Sequence, residues 1–471
     1  MAANYLHGVE TVEMLTGARP VSVVKSAVIG LVGIAPMGAK NALTLVQSSA
    51  DAAQFGSQVP GFSIPQALDA IFDQGAGTVI VVNVFDAATM TSTITAEAQT
   101  VAVGKFKTTK APLSDLVVKK SDDSVTYVKG EDYTIDDYGN ATIIDVAAMP
   151  DATALKISYK ALDPATVTAS AINGTIDSGT GARSGMKCFE LSYNTFGFVP
   201  RILIAPGYSS LNAVATEMIA VADKYRAHAL IDAPAGTIPT AAIAGRGPAG
   251  SINFNTSSKR AILCYPMLKA YDIASDADQN RPYSQFLAGV IAATDLSDGY
   301  WFSPSNREIK GITGVERPIS AAINDPNTEA NLLNEKGIVT VFNSYGTGIR
   351  TWGNRSAAFP SSTHPSNFIA VQRTADIMYE SLELAMLQFI DQPINNAIID
   401  AIKETVNSFI RTLIMRGALV DGKCIFDKAK NPASELAAGH LLFDIEFMPP
   451  TPAERITFDA FIDINLLKNI G

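Results

Sequence analysis

The sequence predicts an α/β core with a mainly parallel mixed sheet, an inserted small all-β domain, and extended N- and C-terminal arms. Three observations carry that expectation. Thr78–Val84 (TVIVVNV) is apolar on both faces, as a strand buried inside a parallel sheet must be. Between Arg201 and Pro266, short apolar runs alternate with stretches of helical spacing, the pattern of βαβ units. From about Ala96 to Ser184 the composition turns to Thr, Asp, Lys and Ser with brief alternating runs, which reads as a separate β-rich piece. At 471 residues the chain exceeds what one ordinary core holds, so several domains are expected.

Residues 1–20 have no lasting periodicity and contain Gly8, Gly17 and Pro20, so they read as an extended arm. Val21–Ala35 is apolar, but Glu10 and Glu13 precede it, Lys25 interrupts it, and it is too short to span a bilayer. A buried strand over Ser26–Ile34, ended by Pro36-Met37-Gly38, fits better. Pro65–Asp73 is a short helix and Thr78–Val84 the next strand. In the β-rich piece, Ser124–Val128 and Leu155–Tyr159 alternate, and Asp136–Asn140 supplies turn chemistry between two further runs. The core resumes with strands at Arg201–Ala205, Ala229–Asp232 and Arg260–Pro266, and helices over Leu211–Arg226 and Thr240–Arg246. Strands are expected at Ile338–Phe342 and Phe368–Val371. Two helices follow, Thr374–Ile390 and Asn396–Arg416, the second stopped by Gly417.

The end of the chain carries two alternating runs. His440–Phe447 places Phe443, Ile445 and Phe447 opposite Asp444 and Glu446; Met448–Pro452, with three prolines, breaks it. Ile456, Phe458, Ile462 and Ile464 then face away from Thr457, Asp459 and Asp463, with Phe461 apolar on the polar side. A lone two-stranded piece is marginal in water, so both runs are expected to complete a sheet elsewhere. The resulting division is 1–20 (arm), 21–95 with 186–330 (α/β core), 96–185 (inserted β-rich outer domain), 331–439 (C-terminal α/β domain) and 440–471 (terminal strands).

Composition removes several functions. A net charge of -10 leaves no footprint for direct nucleic-acid contact. Cys188, Cys264 and Cys424 are distant and odd in number, so no disulfide framework is expected and a reducing compartment suits them. The four histidines are scattered, and neither a metal nor a cofactor is expected. Gly245-Arg246-Gly247-Pro248-Ala249-Gly250 matches a dinucleotide fingerprint as a string, but a polar loop follows it and Pro248 lacks an amide that a pyrophosphate would need. Gly207–Leu211 lies between strand and helix like a nucleophile elbow without its second glycine, so Ser209 and Ser210 are expected to cap a helix. Asp232 with His228 suggests part of a triad, but a surface or capping role is the simpler expectation. An α/β nucleotide-binding or hydrolase-like enzyme is the alternative reading, and none of these motifs supports it.

Several stretches resemble the contractile phage tail sheath protein family, which also serves R-type tailocins and related injection machines. His7-Gly8-Val9-Glu10 and Val28–Gly38 are similar to its opening arm and first strand. Asp298–Ile312 (DGYWFSPSNREIKGI), holding Trp301, Pro304 and Asn306, resembles a block in the middle of the family. Gly348–Ser356 (GIRTWGNRS), holding Arg350, Trp352, Gly353 and Arg355, resembles a later one. These two blocks contain the only tryptophans of the chain. The resemblance implies a structural subunit, not an enzyme. It would polymerise with itself as stacked, hexameric rings around a tail tube protein, meet baseplate and tail terminator proteins, and contract to drive the tube through an envelope. It implies a place in the virion tail after assembly in the host bacterial cytoplasm, with neither direct nucleic-acid contact nor membrane insertion. Gly8, Val9 and Glu10 at one end, and Phe443, Ile445, Phe447, Ile456, Phe458, Ile462 and Ile464 at the other, are the expected positions of strand addition between subunits. Trp301 and Trp352 are expected to pack the core, Arg350 and Arg355 to meet acidic groups, and the Asn396–Arg416 region to face the tube. A chain ending at Gly439 is expected to fold without polymerising.

Overall fold

The computed structural model describes residues 21–469 apart from Ala76, Ala249 and Tyr345; the expected first arm, with Gly8, Val9 and Glu10, lies outside the described residues. Two compact units emerge. One holds Thr374–Pro450 and residues 21–24, the other Lys25–Arg373 and the arm from Thr451.

The larger unit is organised by an eight-stranded sheet. From one edge its strands are Gly348–Trp352, Ile338–Ser344, Ala261–Cys264, His228–Asp232, Ile202–Ile204, Ile29–Gly33, Val79–Asn83 and Leu43–Val46. The six inner strands run parallel, and the two edge strands are antiparallel to their neighbours. Successive side chains of a strand point to opposite faces, and both faces here are covered. Ile29, Leu31, Val79, Val81, Ile202 and Ile204 pack toward the helices Ile64–Asp73 and Tyr283–Ser297. Val32, Ile80, Val82 and Leu203 pack toward Asn212–Tyr225, through Val214, Met218 and Val221. Burial on both sides explains the unbroken apolar runs of these strands.

Between Thr91 and Leu162 the chain forms two small antiparallel sheets. Their own core includes Phe106, Val118, Tyr133, Leu155, Ile157 and Tyr159. Tyr159 Oη donates to Glu97 Oε2 at 2.6 Å, a half-buried polar link between neighbouring strands.

In the smaller unit, the helix Asn396–Met415 buries Ile402, Val406, Phe409, Ile410 and Leu413 on one face. Asn395 caps its start by accepting from Ile398 N at 2.9 Å. Gly417, at φ +80°, allows the turn that ends it. The chain then makes a two-stranded antiparallel ribbon, Asp421–Ile425 with Asp444–Met448.

Three expectations are corrected. Phe368–Val371 is not a strand: Ile369 opens a helix running to Met386, and its first residues are buried. The first terminal run, expected to complete a neighbour's sheet rather than one of its own chain, forms the Asp444–Met448 strand and pairs with Asp421–Ile425 of its own chain. Phe443 precedes that strand and packs on Phe426, with ring centroids 5.2 Å apart, while Phe447 packs edge-on against Tyr379 at 5.7 Å. The second run is not a strand in the isolated subunit. Residues 449–463 have no regular structure and Ile464–Asn469 coils as a 3-10 turn, because no strand of the described chain pairs with them.

Candidate assembly interface

Among the described residues, hydrogen bonding leaves one edge of the terminal ribbon open. Asn407, on the helix Asn396–Met415, reaches the strand Asp421–Ile425 with its side-chain amide. Its Oδ1 accepts from Cys424 N at 2.8 Å and its Nδ2 donates to Cys424 O at 3.2 Å. Both main-chain groups of Cys424 therefore point away from the partner strand. In an antiparallel pair the residue opposite must do the same, so Ile445, opposite Cys424, points its N–H and C=O outward, as does Phe447, two residues along. One edge is thus closed by an asparagine amide, while the Ile445–Phe447 edge presents main-chain donors and acceptors to a further strand.

The arm beyond the ribbon supplies apolar side chains without a place to bury them. Phe458 is 86% exposed, Phe461 88% and Ile462 100%; Ile456, Ile464, Leu466 and Leu467 are also exposed. Seven large apolar side chains exposed within twelve residues mark an interaction segment. The root of the arm, by contrast, is fixed. Glu454 accepts from Arg355 Nε at 2.8 Å (Oε1) and 3.1 Å (Oε2), and from Nη2 as well.

That arginine belongs to the second tryptophan block, and the structure brings the two blocks together. Pro304–Ile309 lies along the edge strand Gly348–Trp352. Asn306 N donates to Thr351 O at 2.6 Å, Thr351 N to Arg307 O at 2.8 Å, and Ile309 N to Ile349 O at 2.9 Å. Thr351 Oγ1 donates to Pro304 O, and Gly353 N to Ser305 Oγ. Trp352 stacks on Phe342 at 4.8 Å, and Trp301 packs edge-on against Tyr300 at 5.0 Å; both tryptophans are half-buried. Gly353 adopts φ +131° with its Cα pressed near Val339, where a Cβ would stand 3.0 Å from Val339 Cα. Arg350 donates to Asn306 O at 2.8 Å, a carbonyl where an acidic group was expected. Arg355 does meet one, Glu454. No sequence signal pairs two residues 99 positions apart, and the same holds for Asn407 with Cys424.

The enzyme-like candidates resolve into packing. Asp232 is buried, and its carboxylate accepts from Ser209 Oγ (2.8 Å), Ser284 Oγ (2.6 Å) and Ser284 N (2.7 Å), so it caps the helix Tyr283–Ser297. Burial, set against those hydrogen bonds, pushes its pKa up to about 6. Ser209 is thereby engaged and Ser210 is not a cap, because the helix starts at Asn212 after Leu211. His228 stands at the other end of the same strand, about 13 Å away at the usual rise per residue. Its Nε2 is buried without a partner, and burial holds its pKa well below the ordinary value. No triad geometry exists there. In the glycine string, Gly250 closes against Gly245, and the Arg246 guanidinium donates to the carbonyls of Phe254, Thr256, Ala357 and Phe359. The only cation of the glycine string is thus committed to main-chain carbonyls. Among the described residues no cluster of three or more His, Cys, Asp or Glu could hold a metal, and no helix is long and apolar enough to cross a membrane.

Comparison with known proteins agrees with this geometry. The family model for the phage tail sheath protein central domain matches residues 181–357, and that for the phage tail sheath C-terminal domain matches residues 361–463. The tail sheath protein of Burkholderia phage BcepMu is 51% identical over 474 residues, covering 100% of this chain and 99% of that protein. The tail sheath protein of Escherichia phage P2 is 26% identical, covering 99% and 98%. Among solved structures, the helical sheath of the anti-feeding prophage in its contracted state shares the fold, with a TM-score of 0.59 at 18% identity over 98% of this chain and 100% of that one. The PVC sheath complex in its contracted state matches with a TM-score of 0.59 at 15% identity, covering 99% of each.

Proposed function

Since this chain belongs to the phage tail sheath protein family, whose members are structural components of contractile tails and not enzymes, we propose that it polymerises by strand exchange and contracts. The observation that carries the proposal is the arm: seven exposed apolar side chains from Ile456 to Leu467, in a chain that also presents an open strand edge at Ile445 and Phe447. Laid on that edge of a neighbouring copy, Ile456, Phe458, Ile462 and Ile464 face one side, and Phe461 meets the other. Main-chain hydrogen bonds supply affinity and the alternating side chains set register. The stretch at Gly8, Val9 and Glu10 acts as a second linking arm.

Such a contact joins unlike surfaces, so it propagates into a helical lattice instead of closing on itself. Rings of six subunits stack around a tail tube protein, between a baseplate and a terminator, in a virion tail assembled in the host bacterial cytoplasm. The β-rich insert at 96–185 stands on the outside, and the region of Asn396–Met415 faces the tube. Arms that stay paired while rigid bodies rotate let the lattice shorten without coming apart, with the energy held in interfaces that have two packings.

The test is a chain ending at Arg455. It keeps the Asp444–Met448 strand, which truncation at Gly439 would remove along with its pairing to Asp421–Ile425. Negative-stain microscopy of the full chain is expected to show hollow ridged cylinders or rings. The shortened chain should melt at the same temperature and remain dispersed. Cylinders formed by the shortened chain would remove the arm from the mechanism.

A further inference from the structure

The contact between Arg355 and Glu454 is built with more care than an ordinary surface ion pair. The guanidinium lies between the rings of Phe359 and Phe368, each centroid 4.2 Å from Cζ. Its Nη1 donates to Asn367 Oδ1 at 2.9 Å. What remains is the edge formed by Nε and Nη2, the fork that matches a carboxylate, and Glu454 fills it. The arginine side chain is 17% exposed and the glutamate 42%, so the receptor is fixed and the arm provides the plug. Upstream, Pro449, Pro450 and Pro452 stiffen the approach. Downstream, the next hydrogen bonds are local ones, from Asn465 and Leu466 to Asp463.

We propose that Arg355 and Glu454 form a tether that fixes where the apolar arm leaves the subunit, and so which neighbouring strand edge the arm reaches. The proposal rests on the polymerisation reading above and adds a positioning residue pair to it. Measured from Glu454, the arm to Ile464 spans about 33 Å when extended. Were the root free back to Met448, six more residues would lengthen the reach by about 20 Å. A longer, looser arm has a lower effective concentration at its one correct edge and a greater chance of reaching a wrong one.

Two full-length variants test this, Arg355→Lys and Glu454→Gln. Lysine keeps the charge but loses the two-toothed geometry, and it leaves the sequence around the tryptic site at Arg455 unchanged. In the unassembled subunit, cleavage after Arg455 should become about tenfold faster in Arg355→Lys, the change expected for loss of roughly one charge-assisted hydrogen bond. Both variants should raise the protein concentration at which cylinders form about tenfold while leaving the melting temperature in place, and Glu454→Asp should recover part of the loss. Unchanged cleavage in Arg355→Lys overturns the tether. So does faster cleavage with cylinder formation unaffected, or a lowered melting temperature as the sole effect. The chain ending at Arg455 separates the two ideas: if it polymerises, strand exchange fails whatever the tether does.

Discussion

At the scale of single residues, the pair on the strand His228–Asp232 predicts an unusual response to pH. Asp232 holds its proton more tightly folded than unfolded, since burial lifts its pKa to about 6. Its contribution to stability is therefore full below the unfolded value near 3.8 and is lost as pH rises through about 6. A shift of two units corresponds to about 3 kcal/mol. His228 acts in the opposite sense. Burial, with Arg260, Arg373 and Lys259 nearby, excludes its proton from the folded state. Its contribution is full above the unfolded value of 6.5 and fades as pH falls below it. Between those limits the two slopes oppose one another on one strand. Melting curves from pH 7 to pH 4.5 should separate them. Relative to the parent chain, Asp232→Asn should lose stability more steeply on acidification, and His228→Gln less steeply. Slopes that match the parent in both variants would contradict this account of the two side chains.

At the scale of elements, the decisive feature is that one ribbon edge is closed and the other open. Asn407 satisfies both main-chain groups of Cys424, so the helix guards the strand beside it. Replacing Asn407 with Leu should strand those groups at a cost of about 1–3 kcal/mol and create a second acceptor edge. Light scattering and microscopy should then find irregular aggregates at concentrations where the parent forms cylinders; ordered cylinders with parental stability would show that the guard is dispensable. None of this was legible in the sequence, where Asn407 is one polar residue on an amphipathic helix. The sheet was far more legible, because Ile29–Gly33 and Val79–Asn83 are buried on both faces and need apolar residues at every position. That same rule misled at Phe368–Val371. Ile369, Ala370 and Val371 are all buried too, but as the opening turn of a helix surrounded by packing, where helical period disappears from the pattern. Ile456–Ile464 alternates like a strand yet pairs with no strand among the described residues, so its pattern suits the exchange proposed above.

At the scale of the molecule, the proposed exchange has an energetic balance that favours a lattice over a pair. Burying the seven exposed side chains returns on the order of 10 kcal/mol, and ordering about a dozen residues costs a similar amount. A single link is therefore weak, and each subunit must be held by several at once. In the proposed exchange the contact is also directional, since the arm gives and the edge receives. A chain ending at Arg455 keeps the receiving edge at Ile445 and Phe447 but has nothing to give. Mixed into parent protein, it should enter a growing end and stop the next addition. One part in ten is predicted to shorten cylinders several-fold, far beyond the dilution it causes, with lengths read by negative-stain microscopy. If the arm instead folded onto the ribbon of its own subunit, the shortened chain would be inert in the mixture and lengths would track the parent concentration alone. Shortening at substoichiometric dose thus distinguishes exchange between copies from closure within one.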